Sequence, residues 1–372
     1  MSDPSRSTRR EFLQGKAALA AASDAAWNAI GAGATSELPD LPGECFLLKL
    51  SRRAMACQFE IYLNAGQNGQ ETEVALAALD LVDRLEDQLS VYRPHSEISQ
   101  LNQRAAFEAV VVEVRLFELI EQAVEIHRET NAAYDITSGP LSGIWGFTRR
   151  NGAIPLPAVL AAAFENVGSQ YLELDRANLS VRFSRPGVEI NLGSIGKGYA
   201  LDRSAELFAA QGIDRFLLHG GNSSVLARGA QGSVVREEGW WVGVRDPLRP
   251  ERRLGQLRLQ DRALATSGSG TQFFMHKGRR FGHILDPRSG WPAEGVLSTS
   301  VLAPTAALAD ALSTAFYVMG PSETERYCQT HPQIAALMLV AGPRAGSVQK
   351  HFWGVPPEDW MELDPAPSSE AG

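Results

Sequence analysis

The chain has 372 residues, of which 44% are hydrophobic and 21% charged, and its formal net charge is −8. This length allows one large core or two smaller lobes, and the composition is typical of a globular protein. The negative charge and the lack of a basic patch argue against a nucleic-acid partner, and no apolar stretch is long enough to predict a membrane-spanning helix. The cysteines lack CxxC spacing, which argues against a zinc site or a disulfide framework; they are Cys45, Cys57 and Cys328.

The N-terminal segment Ser7–Leu13 has paired arginines before a phenylalanine-leucine pair, and it resembles a twin-arginine export signal. The apolar stretch that follows, Ala17–Ala22, is short for a signal peptide, and Asp24 and Asn28 interrupt its continuation. Because the paired arginines precede Phe12 and Leu13, we expect export to the periplasm or to the outer face of the cytoplasmic membrane. A cytoplasmic location is the alternative, because the leader is only weakly hydrophobic.

The chain is expected to divide into a leader with a linker, one catalytic unit and a tail. Thr35–Gly43 contains prolines and is typical of a linker, so the folded unit begins near residue 44. Residues 356–372 are rich in proline, acidic and small residues, which favours a flexible tail. The predicted boundaries are 1–43 for the leader and linker, 44–355 for the catalytic unit and 356–372 for the tail.

Apolar residues at three- and four-residue spacing predict helices over Thr72–Leu89 and around Leu116–Val124. Short runs rich in β-branched and aromatic residues predict strands between and after these helices. The irregular alternation of many short strands with few helices favours an α+β fold over a regular βαβ winding. The predicted strands are Met55–Leu63, Val110–Val114, Leu179–Phe183, Phe216–His219, Trp240–Val244 and Val296–Leu302.

The block Glu189–Asp202 predicts a short strand that runs into glycines and then a helix that continues to about Ala210. Glycines let the backbone approach a ligand closely, a helix N-terminus offers unpaired N–H donors, and Lys197 adds positive charge. The spacing is neither that of a P-loop nor GxGxxG. The pattern therefore indicates either a phosphate-binding turn or an ordinary tight turn.

In the second block, the apolar strand Phe216–His219 stops at Gly220-Gly221. This stop indicates either bare backbone against a ligand or a hairpin turn.

A third block consists of the Ala-Thr-Ser-Gly run that ends at Gly268 and the later segment Phe281–Gly290. His283 is expected within a strand there, either as a catalyst or as a hydrogen-bonded structural residue. The Asp286-Pro287 pair that follows is typical of a turn.

The fourth block, Ala303–Phe316, predicts a helix whose start is marked by Pro304. Asp310 and Thr314 are four residues apart, so their oxygens project from one face, where a hard cation such as Mg²⁺ could take both. The alternative is a solvated helix face. The run from Ala303 to Gly320 contains no Lys, Arg or Glu, which favours a buried or ligand-bearing face.

These four blocks, in this order, resemble the ApbE family of FAD:protein FMN transferases, and the resemblance extends from Met55 to Met338. Two upstream blocks agree with it. Leu89–Asn102 is similar to the family's early tyrosine-containing segment, and Tyr134–Gly146 is similar to its aspartate-threonine-proline-tryptophan block. The resemblance implies a single α+β catalytic unit related to the T-fold, with mixed antiparallel sheets and packed helices.

The resemblance also implies roles for individual residues. A metal would be held by the backbone carbonyl of Ser194 together with Asp310 and Thr314, and His283 would take part in transfer, with Asp286 and Asp202 as competing bases. Asn222 stands where the family commonly has an acidic residue, and Ser269 stands where aspartate or asparagine is more usual. The residues implied at FAD are Tyr92, Asp135, Thr137, Lys197, Gly198, Gly220, Gly221, Asn222, Thr266 and Ser267.

The implied reaction is Mg²⁺-dependent transfer of FMN from FAD to a serine or threonine hydroxyl of an acceptor protein, with release of AMP. FAD and an acceptor from a membrane electron-transfer complex are the implied partners. The alternatives are hydrolysis of FAD to FMN and AMP, in which water replaces the protein hydroxyl, and FAD binding without turnover.

Overall fold

A computed structural model describes residues 47–148, 151–232, 239–270, 272–344 and 346–363. The twin-arginine-like segment, the linker Thr35–Gly43 and the expected boundary near residue 44 lie outside the described residues, as does the tail beyond residue 363. Within the described ranges, no helix is long and apolar enough to cross a membrane.

The long predicted helices are confirmed, with small changes at their ends. Helix α1 begins one residue before the predicted Thr72, and the helix predicted around Leu116–Val124 extends to Glu129. Helices in the described residues are α1 (Glu71–Leu89), α2 (Glu97–Arg104), α3 (Val114–Glu129), α4 (Gly139–Ile144), α5 (Pro157–Phe164), α6 (Gly196–Ala210) and α7 (Ala306–Thr330).

The strands pair in an antiparallel manner throughout the described residues, which confirms the expected α+β class. They are β1 (Leu47–Ala54), β2 (Cys57–Asn64), β3 (Val110–Val111), β4 (Leu172–Asp175), β5 (Ser180–Phe183), β6 (Phe216–Gly220), β7 (Ser224–Arg228), β8 (Trp240–Arg245), β9 (Arg253–Leu259), β10 (Ala263–Gly268), β11 (Phe273–His276), β12 (Arg279–Gly282), β13 (Leu285–Asp286), β14 (Trp291–Pro292), β15 (Val296–Ala303), β16 (Ala335–Ala341), β17 (Val348–Trp353) and β18 (Trp360–Glu362).

An eight-stranded sheet in the order β1-β2-β6-β7-β10-β15-β16-β17 forms the centre of the fold. Side chains alternate between the faces of a strand, and on β2 Phe59 and Ile61 join the core beneath α1, α6 and α7, whereas Tyr62 joins a second core on the opposite face. That second core lies against a three-stranded sheet of β8, β9 and β18. The central sheet is therefore covered on both faces.

The first part of the expected flexible tail is ordered in the structure. Residues Trp360–Glu362 form β18 and pair with β9, because Trp360 can pack its ring over the backbone of Gly255. This corrects the expectation for residues 356–363.

A third apolar cluster surrounds Trp145 and lies beside the hairpin of β11 and β12. Phe274 and Phe281 stack on each other with ring centroids 5.3 Å apart, and both contact the Trp145 ring. The indole N–H of Trp145 donates to the carbonyl of Gly290 at 2.9 Å. This cluster fixes the hairpin to the turn that follows β13.

Three local predictions were wrong, each for a physical reason. The strand predicted at Val110–Val114 is cut to two residues because the Glu113 carboxylate accepts from the N–H groups of Arg115 and Leu116 and starts α3. The residues before the glycine turn form no strand, since the N–H of Ile190 is taken by the Asn102 side chain. His283 lies in the connection between β12 and β13, outside any strand.

Candidate active site

A cavity of about 1190 Å³ opens where β6, β7 and β10 end near α6 and α7, and it continues between the central sheet and the β8–β9–β18 sheet. Most of the residues predicted for the site line this cavity. They are Tyr92, Asp135, Ser194, Lys197, Asn222, Thr266, Ser267, His283, Asp310 and Thr314. The four sequence blocks and the tyrosine segment are therefore brought together in space.

The Asp310 carboxylate lies at the inner wall of the cavity, and the residue is only 5% exposed. It accepts a hydrogen bond from the backbone N–H of Gly198 at 2.6 Å and another from the Ser224 hydroxyl at 2.5 Å. Burial raises the pKa of Asp310, against the opposing effects of the Lys197 charge and of these two hydrogen bonds. A cation or a ligand with hydrogen-bond donors would favour the charged form of this carboxyl.

Hydroxyl groups lie at the same wall of the cavity, one helical turn beyond Asp310 on α7. Ser267 on β10 lies 2.8 Å from the Ser313 hydroxyl and 3.1 Å from the Thr314 hydroxyl. Thr314 follows Asp310 by one turn, so the predicted pair does share one face of α7. That face is turned toward the cavity, and the alternative of a solvated helix face is excluded by the burial of Asp310.

The start of α7 is held in place by Asp202 on α6. Its carboxylate accepts from the N–H groups of Ala306 and Ala307 at 2.7 and 2.8 Å, and the Thr305 hydroxyl caps the same end. Burial raises the pKa of Asp202 to about 6, although the two backbone hydrogen bonds act in the opposite direction. Asp202 does not line the main cavity and is occupied as a helix cap, so the geometry does not support it as a general base.

The glycine turn places Ser194 and Lys197 at the cavity wall before and within the first turn of α6. A side chain at Gly198 would place a Cβ 2.0 Å from the carbonyl oxygen of Ala306, so only glycine allows α6 and α7 to approach this closely. The Ser194 hydroxyl also donates to the phenol oxygen of the buried Tyr134 at 3.2 Å. Gly198 thus packs two helices together and does not itself line the cavity.

His283 is positioned by the root of the β11–β12 hairpin. Its Nδ1 lies 3.1 Å from the carbonyl oxygen of Gln272, and its ring meets the Phe147 ring edge-on at 6.5 Å. A carbonyl only accepts, so Nδ1 carries the proton and Nε2 is left as an acceptor. Burial lowers the pKa of His283, and the charge of Lys197 lowers it further while the Gln272 hydrogen bond opposes both.

Tyr92 stands at the cavity mouth with 70% of its surface exposed, where its ring could stack on a flat ligand. Asn222 and Ser223 line the cavity at the turn between β6 and β7. Gly220 and Gly221 do not, because Gly220 pairs with Ser224 and Gly221 turns the hairpin with a φ of +61°. The hairpin interpretation of this block is the one that the structure supports.

Asp135 and Thr137 belong to a buried network rather than to an open binding surface. Asp135 pairs with His127 at 3.1 Å and accepts hydrogen bonds from the hydroxyls of Thr137 and Ser169 at 2.7 and 2.8 Å. Thr137 is fully buried and does not line the cavity, whereas Asp135 does line it. The expected FAD contact of Thr137 is therefore corrected to a structural role.

Asp286 does not line the cavity, although its neighbours Leu285 and Pro287 do. Its carboxylate accepts from the backbone N–H and the Nε of Arg288 at 2.9 and 3.0 Å, as part of the Asp-Pro-Arg-Ser-Gly turn. The turn interpretation holds and the proposed role as a base has no geometric support. Ser269, the other departure noted in the sequence, accepts a hydrogen bond from the Tyr317 hydroxyl at 3.0 Å.

Sequence reasoning missed the part of the cavity that lies between the two sheets. Lys49 and Glu60 form an ion pair there at 2.9 Å, and Tyr62 donates to Glu60 at 2.8 Å. Arg245 and Arg253 face each other across β8 and β9. These residues come from distant strands and share no motif, so only the register of the sheets could have indicated them.

The donors at Asp310 fit a hard divalent cation. Within the described ranges, no group of three or more His, Cys, Asp or Glu side chains could hold a metal ion. A magnesium site does not need such a group, since Mg²⁺ takes one or two carboxylates, other hard oxygens and ligand phosphates. The buried Asp310 carboxylate and the Thr314 hydroxyl supply oxygens of this kind beside a cavity large enough for a dinucleotide.

Comparison with known proteins places these features in context. The sequence profile of the ApbE family matches residues 55–338. A curated protein of Vibrio cholerae, FAD:protein FMN transferase, is 30% identical over 264 residues, which cover 70% of this chain and 77% of that protein.

Solved structures agree with this comparison. The crystal structure of the ApbE protein from Thermotoga maritima matches with a TM-score of 0.73 and 29% identity, and the match covers 82% of this chain and 97% of that one. The flavin transferase ApbE from Vibrio cholerae matches with a TM-score of 0.72 and 25% identity, over 83% of this chain and 97% of that one.

Proposed function

The chain belongs to the ApbE family, and from that premise we propose that it transfers FMN from FAD to a serine or threonine hydroxyl of an acceptor protein and releases AMP. The observation that carries this proposal is the buried Asp310 carboxylate, which shares one cavity with Lys197, Thr314 and His283. These groups are a carboxylate and a hydroxyl that could hold a metal ion, a cation that could neutralise phosphate charge and a base that could accept a proton, and phosphoryl transfer uses groups of these kinds.

We propose that the enzyme requires Mg²⁺. Asp310 and the Thr314 hydroxyl would hold the ion, and the carbonyl of Ser194 on the glycine turn is the third candidate donor. When bound, Mg²⁺ would neutralise charge on the pyrophosphate of FAD and ease the departure of AMP. The burial of Asp310 supports this role, because an uncompensated carboxylate at this depth is costly.

The residues of the chain would orient the reactants and move one proton. Lys197, in the first turn of α6, presents positive charge to the phosphates from the cavity wall. The acceptor oxygen attacks the FMN phosphorus, the bond from that phosphorus to AMP breaks, and AMP leaves with the electron pair. The hydroxyl proton passes to Nε2 of His283, the ring nitrogen that the Gln272 hydrogen bond leaves free.

The test is to incubate the purified chain with FAD and Mg²⁺, with and without a soluble domain that carries a Ser/Thr flavinylation site. AMP release and the mass of the acceptor are then followed. A gain of one FMN by the acceptor, abolished by a chelator, is the expected result. AMP without labelled acceptor would indicate FAD hydrolysis, and bound FAD without AMP would leave only flavin binding.

We also propose, from the leader sequence, that the protein is exported and, from the family resemblance, that its acceptors belong to membrane electron-transfer complexes. Exchange of Arg9 and Arg10 for lysine should retain the protein in the cytoplasm, since twin-arginine signals depend on this pair. Cell fractionation with immunodetection measures the location. Equal export of the altered and unaltered chains would contradict the proposal.

A further inference from the structure

The β11–β12 hairpin, residues 273–282, carries a concentration of positive charge in a chain whose net charge is −8. Lys277, Arg279 and Arg280 are all exposed on it, beside the exposed His276. Arg279 has an acidic partner in Glu294, whereas Arg280 lies over the ring of Phe273 at 3.9 Å and donates to the carbonyl of Ser269. The absence of a basic patch, inferred from the sequence, is corrected at this hairpin.

The two faces of this basic hairpin have different surroundings. Phe274 and Phe281 point toward Trp145 and belong to the packed aromatic cluster. The opposite face carries Phe273, which is 43% exposed, and Met275, which is 57% exposed. Large apolar side chains among cations on an exposed surface are typical of a protein-binding site.

The hairpin also offers free backbone for pairing. Within the part of the chain that the structure describes, β11 and β12 form a sheet of their own, so the outer edge of each strand has no strand neighbour. Such an edge can accept an added strand from another protein, and cations flanking it select the charge of that strand.

The hairpin connects directly to the cavity. Gln272 and His283, which immediately precede and follow it, line the cavity and are joined by the hydrogen bond from His283 Nδ1 to the Gln272 carbonyl. A segment that pairs with either strand would therefore run toward the imidazole that receives the acceptor's proton.

We propose that this basic hairpin is the docking surface for the acceptor protein, which adds an extended segment with acidic flanking residues to its edge. This inference rests on the proposed transferase function, because the proposed occupant is the protein acceptor of that reaction. Charge complementarity would select the acceptor, while the exposed Phe273 and Met275 would bury apolar surface on docking.

The experiment compares variants at Lys277, which occupies the hairpin turn with a φ of +49°. Lys277→Asn removes the charge with a residue that tolerates this conformation, and Lys277→Glu reverses the charge. Arg128→Glu, on an exposed part of α3, is the matched control. The probe is a soluble domain that carries a Ser/Thr flavinylation site, and the KM for this domain is measured at low and high salt.

We expect the KM for the acceptor to rise about tenfold in Lys277→Glu and less in Lys277→Asn, with both effects shrinking at high salt. Met275→Ser should raise the KM without changing its salt dependence. Arg128→Glu should match the unaltered chain. An FAD titration monitored by flavin fluorescence checks that each variant still binds its dinucleotide.

An unchanged acceptor KM in Lys277→Glu and Met275→Ser, with labelling intact, would overturn the docking surface and leave the transferase function standing. Absence of labelling by the unaltered chain, with AMP still released, would remove the transferase premise and the docking surface with it. Salt-dependent binding to anionic lipid vesicles that is lost in Lys277→Glu, while the acceptor KM stays constant, would reassign the hairpin to a membrane.

Discussion

The backbone N–H of Gly198 donates to the carboxylate of Asp310 at 2.6 Å, which ties the first turn of α6 to the acidic residue of α7. The Ser224 hydroxyl holds the other oxygen of the same carboxylate at 2.5 Å. The proposed metal ligand therefore has a fixed orientation before any ion binds, so ion binding does not have to order this side chain.

Replacement of Asp310 by alanine or asparagine should reduce AMP release on the order of 1000-fold, because the ion that neutralises the pyrophosphate loses the carboxylate proposed to hold it. Mg²⁺ should raise the Tm of the unaltered chain and leave that of Asp310→Asn unchanged. Asp214→Asn, at a side chain that is 86% exposed, is the control. Magnesium-dependent turnover at a normal rate in Asp310→Asn would defeat the assignment.

Gly198→Ala should destabilise the protein by about 1–3 kcal/mol or more, since its Cβ would lie 2.0 Å from the Ala306 carbonyl oxygen and force α6 and α7 apart. Gly143→Ala on α4 is the matched control, because no atom lies within 4 Å of the added methyl group. That change should be neutral or stabilise by roughly 0.5–1 kcal/mol. Urea denaturation measures both, and equal midpoints for the two variants would show that the helices tolerate the separation.

His283→Ala should lower the transfer rate about 10²- to 10⁴-fold while FAD binding is retained, since a base acts only in the chemical step. The pKa of His283 is lowered by burial and by Lys197, so the imidazole is neutral at pH 7, and kcat/KM should fall only when the pH drops below 6.5. His95→Ala, at an exposed position, is the control. An acid limb centred above pH 6.5 in the unaltered chain would be incompatible with His283 as the base.

Asp135→Asn should destabilise the protein by about 3–5 kcal/mol and leave the KM for FAD nearly unchanged, because it breaks the buried pair with His127. Burial alone would lower the pKa of His127, but the hydrogen bond and charge of Asp135 raise it above 6.5. Since the folded state holds this proton more tightly than the unfolded chain, the stabilisation is fully present below pH 6.5. It is lost as the pH rises through the raised pKa.

Burial would raise the pKa of Asp135, yet its pairing with His127 and its hydrogen bonds lower it. The stability that the Asp135 carboxylate contributes to the fold is therefore lost only when the pH falls through this lowered pKa. Urea denaturation between pH 6 and pH 9 should show the unaltered chain losing stability relative to Asp135→Asn. A stability difference that does not vary with pH would show that His127 is not protonated in the fold.

The sequence predicts site residues that are close to each other along the chain. It does not predict the hydrogen bonds that join residues far apart along the chain. The four-residue spacing of Asp310 and Thr314 was enough to place both on one face of a helix. The Ser224 and Gly198 hydrogen bonds to Asp310 join residues 86 and 112 positions apart, and nothing in either segment indicates them. Motif matching also assigned Thr137 to the ligand, because a motif does not distinguish a binding residue from one that supports it.

The fold shows the same division. Helix periodicity located α1 and α3 closely, whereas His283 was assigned to a strand because Ile284 and Leu285 continue an apolar run. In the structure the Gln272 carbonyl accepts from the backbone N–H of His283 at 3.2 Å and lies 3.1 Å from its ring Nδ1, and His283 lies in the connection between β12 and β13. Residues 360–362 belong to a segment that is rich in proline, acidic and small residues, yet they pair with β9, where the Trp360 ring packs over the glycine of that strand.

The pairing of β2 with β6 has a kinetic consequence. These two strands are neighbours in the sheet, but the helices α1 to α6 all lie between them in the sequence. A very long loop must therefore close before Phe59 can face Gly220. Closing such a loop is entropically slow, whereas β6 and β7 or β15 and β16 can find each other early. We therefore expect refolding to pass through a stage in which part of the central sheet has formed without the first hairpin. FAD-binding competence should return only in the last phase of that process.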